Sequence, residues 1–168
     1  MTNHVHLILT PHNDESLAKA IGRTHFIYTQ YINRLHQRSG HPWQNRFYPC
    51  PLDNRHFLEA MRYIECNPVR AGIVRKPWRY PFSSAAAHIG EPDATGLLNM
   101  RHWQKQTKTL DWRQCLLKRL PKENLNRIRR QTHTGRPLAT DSLLSKLEKK
   151  LNRRLRPHPV GRPKTKWN

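Results

Sequence analysis

An α+β domain followed by a basic helical extension is the fold class this sequence predicts, and three observations predict it. Residues 3–10 alternate like a strand, and residues 14–38 and 53–67 repeat apolar side chains at helical spacing. Beyond about residue 101 the chain turns strongly basic. A length of 168 residues suits one domain with a real core plus an appendage. The apolar share of 36% is low for a compact globule, and 13 Pro argue for irregular connections.

The first element is the segment Asn3-His4-Val5-His6-Leu7-Ile8-Leu9, expected to be a buried strand ending at Pro11. A period of two sends His4, His6 and Ile8 to one face and Val5, Leu7 and Leu9 to the other, so an aliphatic row anchors the strand while two imidazoles project together. Asp14-Glu15-Ser16 then opens a helix. Leu17, Ala20, Ile21, Thr24, Ile27, Tyr28, Tyr31, Ile32 and Leu35 mark its apolar face as far as Ser39-Gly40. Its acidic start and its basic end (Arg34, His36, Arg38) suit the helix dipole.

Trp43 to Leu52 reads as a short extended stretch around Arg46-Phe47-Tyr48, interrupted by Pro49 and Pro51. Asp53 or Asn54 caps a second helix through Phe57, Leu58, Met61 and Ile64. Pro68 ends or kinks it near Asn67, which is placed to cap a short turn closed by Gly72. Residues 77–100 read mostly as loop, with Trp78, Tyr80 and Phe82 packing back onto the domain. Short basic helices follow at 111–119 and 121–131, then a turn at Gly135-Arg136-Pro137. A helix capped at Thr140-Asp141-Ser142 runs through Leu143, Leu144, Leu147 and Leu151. The organisation expected is therefore a domain over 1–100, a basic helical extension over 101–152 and a basic tail over 153–168, disordered without a partner.

The net charge is +20, unevenly placed. Residues 1–100 hold 11 Lys/Arg against 7 Asp/Glu, whereas residues 101–168 hold 20 against 4. Such an excess points to a polyanion, most often nucleic acid, through phosphate neutralisation and counterion release; a solvated tail with no specific partner is the plainer alternative. No apolar run is long enough to span a bilayer, and no signal segment opens the chain, so a cytoplasmic protein without a membrane partner is expected. The three cysteines, Cys50, Cys66 and Cys115, form no Cys-x-x-Cys and read as free thiols of a reducing compartment.

Two imidazoles one residue apart make a workable platform for a divalent metal. With 11 His in the chain, chance places a His-x-His roughly 0.7 times, so the pair needs partners to carry meaning. Tyr63 and Asn67 supply candidates, four apart and hence on one helical face. A phenol is a poor nucleophile at neutral pH and needs placement against its electrophile, while an amide oxygen one turn away can join two imidazoles around a metal that polarises a phosphate. The same spacing also suits a packed core tyrosine and an Asn cap. Glu65 between them reads as a surface charge.

At this point the sequence resembles a known family. Asn3-His4-Val5-His6-Leu7, Trp43-Gln44-Asn45-Arg46-Phe47, Arg62-Tyr63-Ile64-Glu65-Cys66-Asn67-Pro68-Val69-Arg70-Ala71-Gly72 and Pro81-Phe82-Ser83-Ser84 closely resemble the REP-associated tyrosine transposases. These are relatives of the IS200/IS605-type single-tyrosine transposases of the HUH endonuclease superfamily. The C-terminal Gly135-Arg136-Pro137-Leu138 and Leu147-Glu148 are similar to an extension found in many members, so the resemblance spans most of the chain. It implies a ferredoxin-like sheet-and-helix domain that cuts single-stranded DNA near hairpins of palindromic repeats. It further implies Tyr63 as nucleophile, leaving a 5′-phosphotyrosine and a free 3′-OH, with Mg²⁺ or Mn²⁺ held by His4, His6 and Asn67. Family members carry a strand and a helix ahead of the paired histidines. Their absence here predicts an N-terminally truncated domain with an incomplete sheet, or a misassigned start.

DNA contacts are expected from Trp43, Arg46, Arg62, Arg70, Arg129, Arg130, Arg136, Arg162 and Lys164, joining phosphate contacts to base stacking. Phe47, Trp78 and Trp103 are further stacking candidates, with ordinary core packing as the alternative for every aromatic. Val160-Gly161-Arg162-Pro163-Lys164 resembles the Gly-Arg-Pro core of AT-hook segments, which read narrow minor grooves. The sequence thus supports a DNA-cleaving transposase, or a catalytically inactive relative that only binds DNA; nothing in it resembles an RNA-recognition signature.

Overall fold

The computed structural model describes residues 4–44, 47–157 and 161. Among them the ordered elements are helical: α1 (Ser16–Leu35), α2 (Asn54–Glu65), α3 (Asn67–Arg70), α4 (Ala85–His88), α5 (Met100–Thr107), α6 (Trp112–Leu117), α7 (Lys122–Thr134) and α8 (Asp141–Leu151), with a 3₁₀ turn at Pro77–Arg79. The only β pairing among the described residues is an isolated parallel bridge, Leu52 to Leu138. The ferredoxin-like α+β sheet expected from the sequence is therefore corrected to a helical architecture. The physical reason lies in residues 4–10. They have no regular secondary structure and make no ladder with any described segment, and alternation alone does not make a strand. The expected burial is inverted as well. Val5, Leu7 and Leu9 are exposed, whereas His6 and Ile8 turn inward.

The second helix organises the rest. Asp53 caps α2 by accepting from the His56 N–H at 2.9 Å, and its other oxygen accepts from the Thr140 N–H at 2.8 Å. On α2, Phe57, Leu58, Met61 and Glu65 lie on one face, while Ala60, Tyr63 and Ile64 lie on another. The first face packs on a core of Trp78, Ala85, Trp103, Trp112 and Leu116. The second meets Ile128 of α7 and Leu138. Helices beyond residue 100 thus pack against α2 on both sides. An Arg127–Glu59 ion pair of 2.7 Å adds to the α7 contact.

Glu65 corrects a second expectation. It is fully buried, not a surface charge. Its carboxylate accepts from Ser84 Oγ at 2.6 Å and Trp112 Nε1 at 2.8 Å, and sits 2.5 Å from His88 Nδ1. The His88 ring stacks on Trp103 with centroids 3.8 Å apart, and Trp103 meets Trp112 edge-on. One acid therefore ties α2 to α4 and α6, and Ser84 is brought to Tyr63's helix by it. Trp78 and Trp103, candidates for base stacking, are core residues. The stretch 77–100, expected as loop, holds the 3₁₀ turn and α4.

The turn after α7 docks beside the start of α2. Gly135 adopts φ +63°, a left-handed geometry that ends α7, and Leu138 then pairs with the 51–53 backbone through N–H to Pro51 O (2.8 Å) and O from Asp53 N–H (3.2 Å). Residues 153–157, the start of the expected disordered tail, fold back on α8: the Leu155 and Arg156 N–H groups both donate to Glu148 Oε1. By contrast α1 has no buried residue and leaves Phe26, Ile27, Tyr31 and Leu35 exposed.

Candidate active site and DNA interface

Two segments remote in sequence meet at the end of α2. The rings of His4 and His6 lie edge to face with centroids 4.9 Å apart, and His6 makes a second edge contact, 5.9 Å, with Tyr63. Tyr63 itself is 8% exposed, held by Ile128 and Leu138, so helix packing fixes its ring. Asn67 stands one turn on, as the first residue of α3; the cap of that helix is Cys66, so the expected capping role for Asn67 is not seen. Pro68 sets the start of α3, and Gly72, at φ +70°, turns the chain out of it.

Arg70, at the end of α3, completes the cluster. Its guanidinium lies over the Tyr63 ring, 4.3 Å from the centroid, and Nη2 donates to the Tyr63 carbonyl and, at 3.0 Å, to Asn67 Oδ1. Burial pushes the Arg70 pKa below its ordinary value; Tyr63 and Cys66 oppose that shift, and the nearby positive Arg129 adds to it. Burial likewise lowers the pKa of His6, helped by the neighbouring His4 and by the positive Arg70, which favours the neutral ring with a lone pair to offer.

The donor set for a divalent ion divides. The His4 and His6 rings are close enough, at 4.9 Å between centroids, for both to border one ion. Among the described residues no group of three or more His, Cys, Asp or Glu is placed to hold a metal. Asn67, the third donor implied by the resemblance, has its amide oxygen engaged by Arg70. His4 and His6 lie together as a pair, while the Asn67 oxygen faces Arg70.

The other expected DNA contacts separate into several kinds. Arg62 is half-buried and its Nη2 donates to the Lys118 carbonyl, closing the end of α6. Arg129 and Arg130 are exposed on α7, and Arg129 is near enough to Arg70 to perturb it. Arg136 is half-buried; its carbonyl accepts from Cys50 Sγ at 3.1 Å, and it lines a cleft of about 430 Å³ with Arg153, Arg154 and Arg156. Trp43 is half-buried against α1, stacked on His25 at 3.9 Å, with Nε1 donating to the His25 carbonyl. Arg46, Arg162 and Lys164 lie outside the described residues, as does most of the AT-hook-like stretch. Sequence reasoning missed Glu65, Ser84 and His88 as a linked group, although Glu65 follows Leu58 by seven residues and Met61 by four on an apolar helix face.

With that geometry in place, the comparisons with known proteins bear on it. Residues 1–67 match the family model described as "Transposase IS200 like". The matched region takes in His4, His6, Tyr63 and Asn67 and stops before Arg70. Within it the chain is similar to transposases of this class, which points to transposase-type, DNA-related function. No curated protein and no solved structure matches the chain. None of the helices among the described residues is long and apolar enough to cross a membrane.

Proposed function

We propose that this protein binds single-stranded DNA at hairpins of palindromic repeats and cleaves and rejoins it with Tyr63 as nucleophile. The observation that carries the reading is the contact of His6 with Tyr63, with the His4 ring beside it, across nearly sixty residues of chain and inside the region similar to IS200-like transposases. The Tyr63 oxygen forms a bond to phosphorus as the P–O3′ bond breaks. The phenol proton passes to solvent, the leaving oxygen takes one up, and the products are a 5′-phosphotyrosine and a free 3′-OH. Mg²⁺ or Mn²⁺ on His4 and His6 would supply Lewis acidity to a phosphate oxygen. Arg70 and Arg129 contribute positive charge where the phosphate must sit, and the dense charge of residues 101–168 holds flanking DNA.

A second reading, DNA binding without cleavage, is favoured by one observation. Tyr63 is packed in a core and only 8% exposed, so an incoming phosphodiester has little of it to meet. Incubation of the full chain with a labelled hairpin oligonucleotide and Mn²⁺ separates the two. Cleavage predicts a covalent adduct that disappears in Tyr63→Phe and falls at least about a hundredfold in His6→Ala. Tight binding with no adduct in the wild type selects the binding-only protein.

A further inference from the structure

Arg70 is a half-buried cation without a carboxylate. None of the ion pairs among the described residues includes it. Its hydrogen-bond acceptors are oxygens of Tyr63 and Asn67, none of them a carboxylate, and its Nε is buried with no partner. A guanidinium held this way carries a charge that no carboxylate compensates, and an anion would compensate it. Arg129 adds a second positive charge nearby. The Asn67 oxygen points at that guanidinium, and a divalent ion on the same oxygen would stand against Arg70 with like charge.

We propose that Asn67 is a positioning residue: its amide oxygen aims Arg70, stacked over Tyr63, at a DNA phosphate, and it is not the third ligand of a divalent ion. This rests on the reading that the Tyr63 site receives a DNA phosphodiester. Arg70 is then the group that touches the phosphate, and Asn67 acts only through it. Stacking on the ring sets the guanidinium plane, while the two hydrogen bonds of Nη2 hold one end of the fork and leave its remaining donors for the anion.

The test removes the metal. A single-stranded oligonucleotide is titrated in EDTA against the full-length wild type, Asn67→Ala, Arg70→Ala, Arg70→Lys and the two double variants. Thermal melts establish that each is folded, and Arg70→Lys serves if Arg70→Ala is not. Mn²⁺ alone is titrated into the wild type and Asn67→Ala by calorimetry. The expected result is a loss of about tenfold in metal-free DNA affinity for Arg70→Ala and a smaller loss for Asn67→Ala. In either Arg70 background Asn67→Ala has no further effect. Mn²⁺ affinity is unchanged, and a wild type that binds no Mn²⁺ equally leaves Asn67 no ligand role. The proposal is overturned by unaltered metal-free binding in Asn67→Ala, by losses that multiply in the double variants, or by a fall of tenfold or more in Mn²⁺ affinity. If both Arg70 variants bind DNA like the wild type, the phosphate site itself is misplaced, and the proposed function fails along with Asn67's role.

Discussion

Glu65 has the most to lose by substitution among the residues around Tyr63. Its carboxylate satisfies a hydroxyl, an imidazole and an indole in a fully buried setting, so truncation leaves three polar groups without a partner. Glu65→Ala is expected to cost about 3–5 kcal/mol, measured as a drop in the urea midpoint; a loss below about 1 kcal/mol would mean the network is dispensable. Asp53 yields a pH prediction. Burial raises its pKa, but hydrogen bonds from the Thr140 and His56 N–H groups and the His56 side chain outweigh that and leave it below the usual value. A carboxylate depressed in the folded state contributes stability above its unfolded pKa, about 3.9, and loses it as pH falls through the folded value. The wild type should therefore lose stability between about pH 4 and more acid values faster than Asp53→Asn does, as seen by denaturant melts across that range. Both residues show what the sequence left hidden. Asp53 was legible as a cap from its place before an apolar repeat, whereas Glu65 looked like surface because its three partners come from positions 84, 88 and 112.

Among the elements, α2 was the most legible and the segment before α1 the least. Phe57, Leu58, Met61 and Ile64 repeat at helical spacing behind an Asp cap, and local rules suffice to place that helix. The segment at 4–10 also alternates as a strand would, but a strand exists only through its neighbour, and alternation carries no information about one. The Gly135-Arg136-Pro137-Leu138 turn is a middle case: its turn chemistry was visible, yet its docking beside residues 51–53 depends on contacts more than eighty residues away. Gly135 sits at φ +63°, and a Cβ there would meet Pro49 O at an ordinary 3.5 Å, so the cost of Gly135→Ala is backbone strain and not collision. A loss of about 1–2 kcal/mol is expected in equilibrium unfolding; a neutral or stabilising result would show that the left-handed turn is not required.

At the scale of the whole molecule, charge and fold are divided between the same helices. The extension beyond residue 100 supplies Trp103, Trp112, Leu116 and Ile128 to the two cores and carries most of the positive charge on its outer side. The Arg-lined cleft between the Gly135 turn and residues 153–156 lies within that part. Binding to single-stranded DNA should weaken linearly in log–log form with salt, with a slope of roughly −0.7 for each phosphate neutralised; salt-insensitive binding would contradict the phosphate account. Arg153→Ala/Arg154→Ala is expected to shallow that slope by about one to two contacts without changing the Tyr63 adduct. The expectation of a polyanionic partner comes from composition alone, because net charge needs no fold to be counted. The meeting of His6 with Tyr63 was expected only through a resemblance, since a spacing of some sixty residues says nothing of contact.

The central claim is that Tyr63 forms the covalent bond to DNA, and its most direct test is peptide mapping of the protein after reaction with a hairpin oligonucleotide and Mn²⁺. Nuclease trimming followed by mass spectrometry should find a 5′-linked nucleotide on the peptide carrying Tyr63, and on no peptide carrying Tyr28, Tyr31, Tyr48 or Tyr80. A nucleotide on one of those other tyrosines, or its absence from every peptide under conditions where the DNA is bound, contradicts the account.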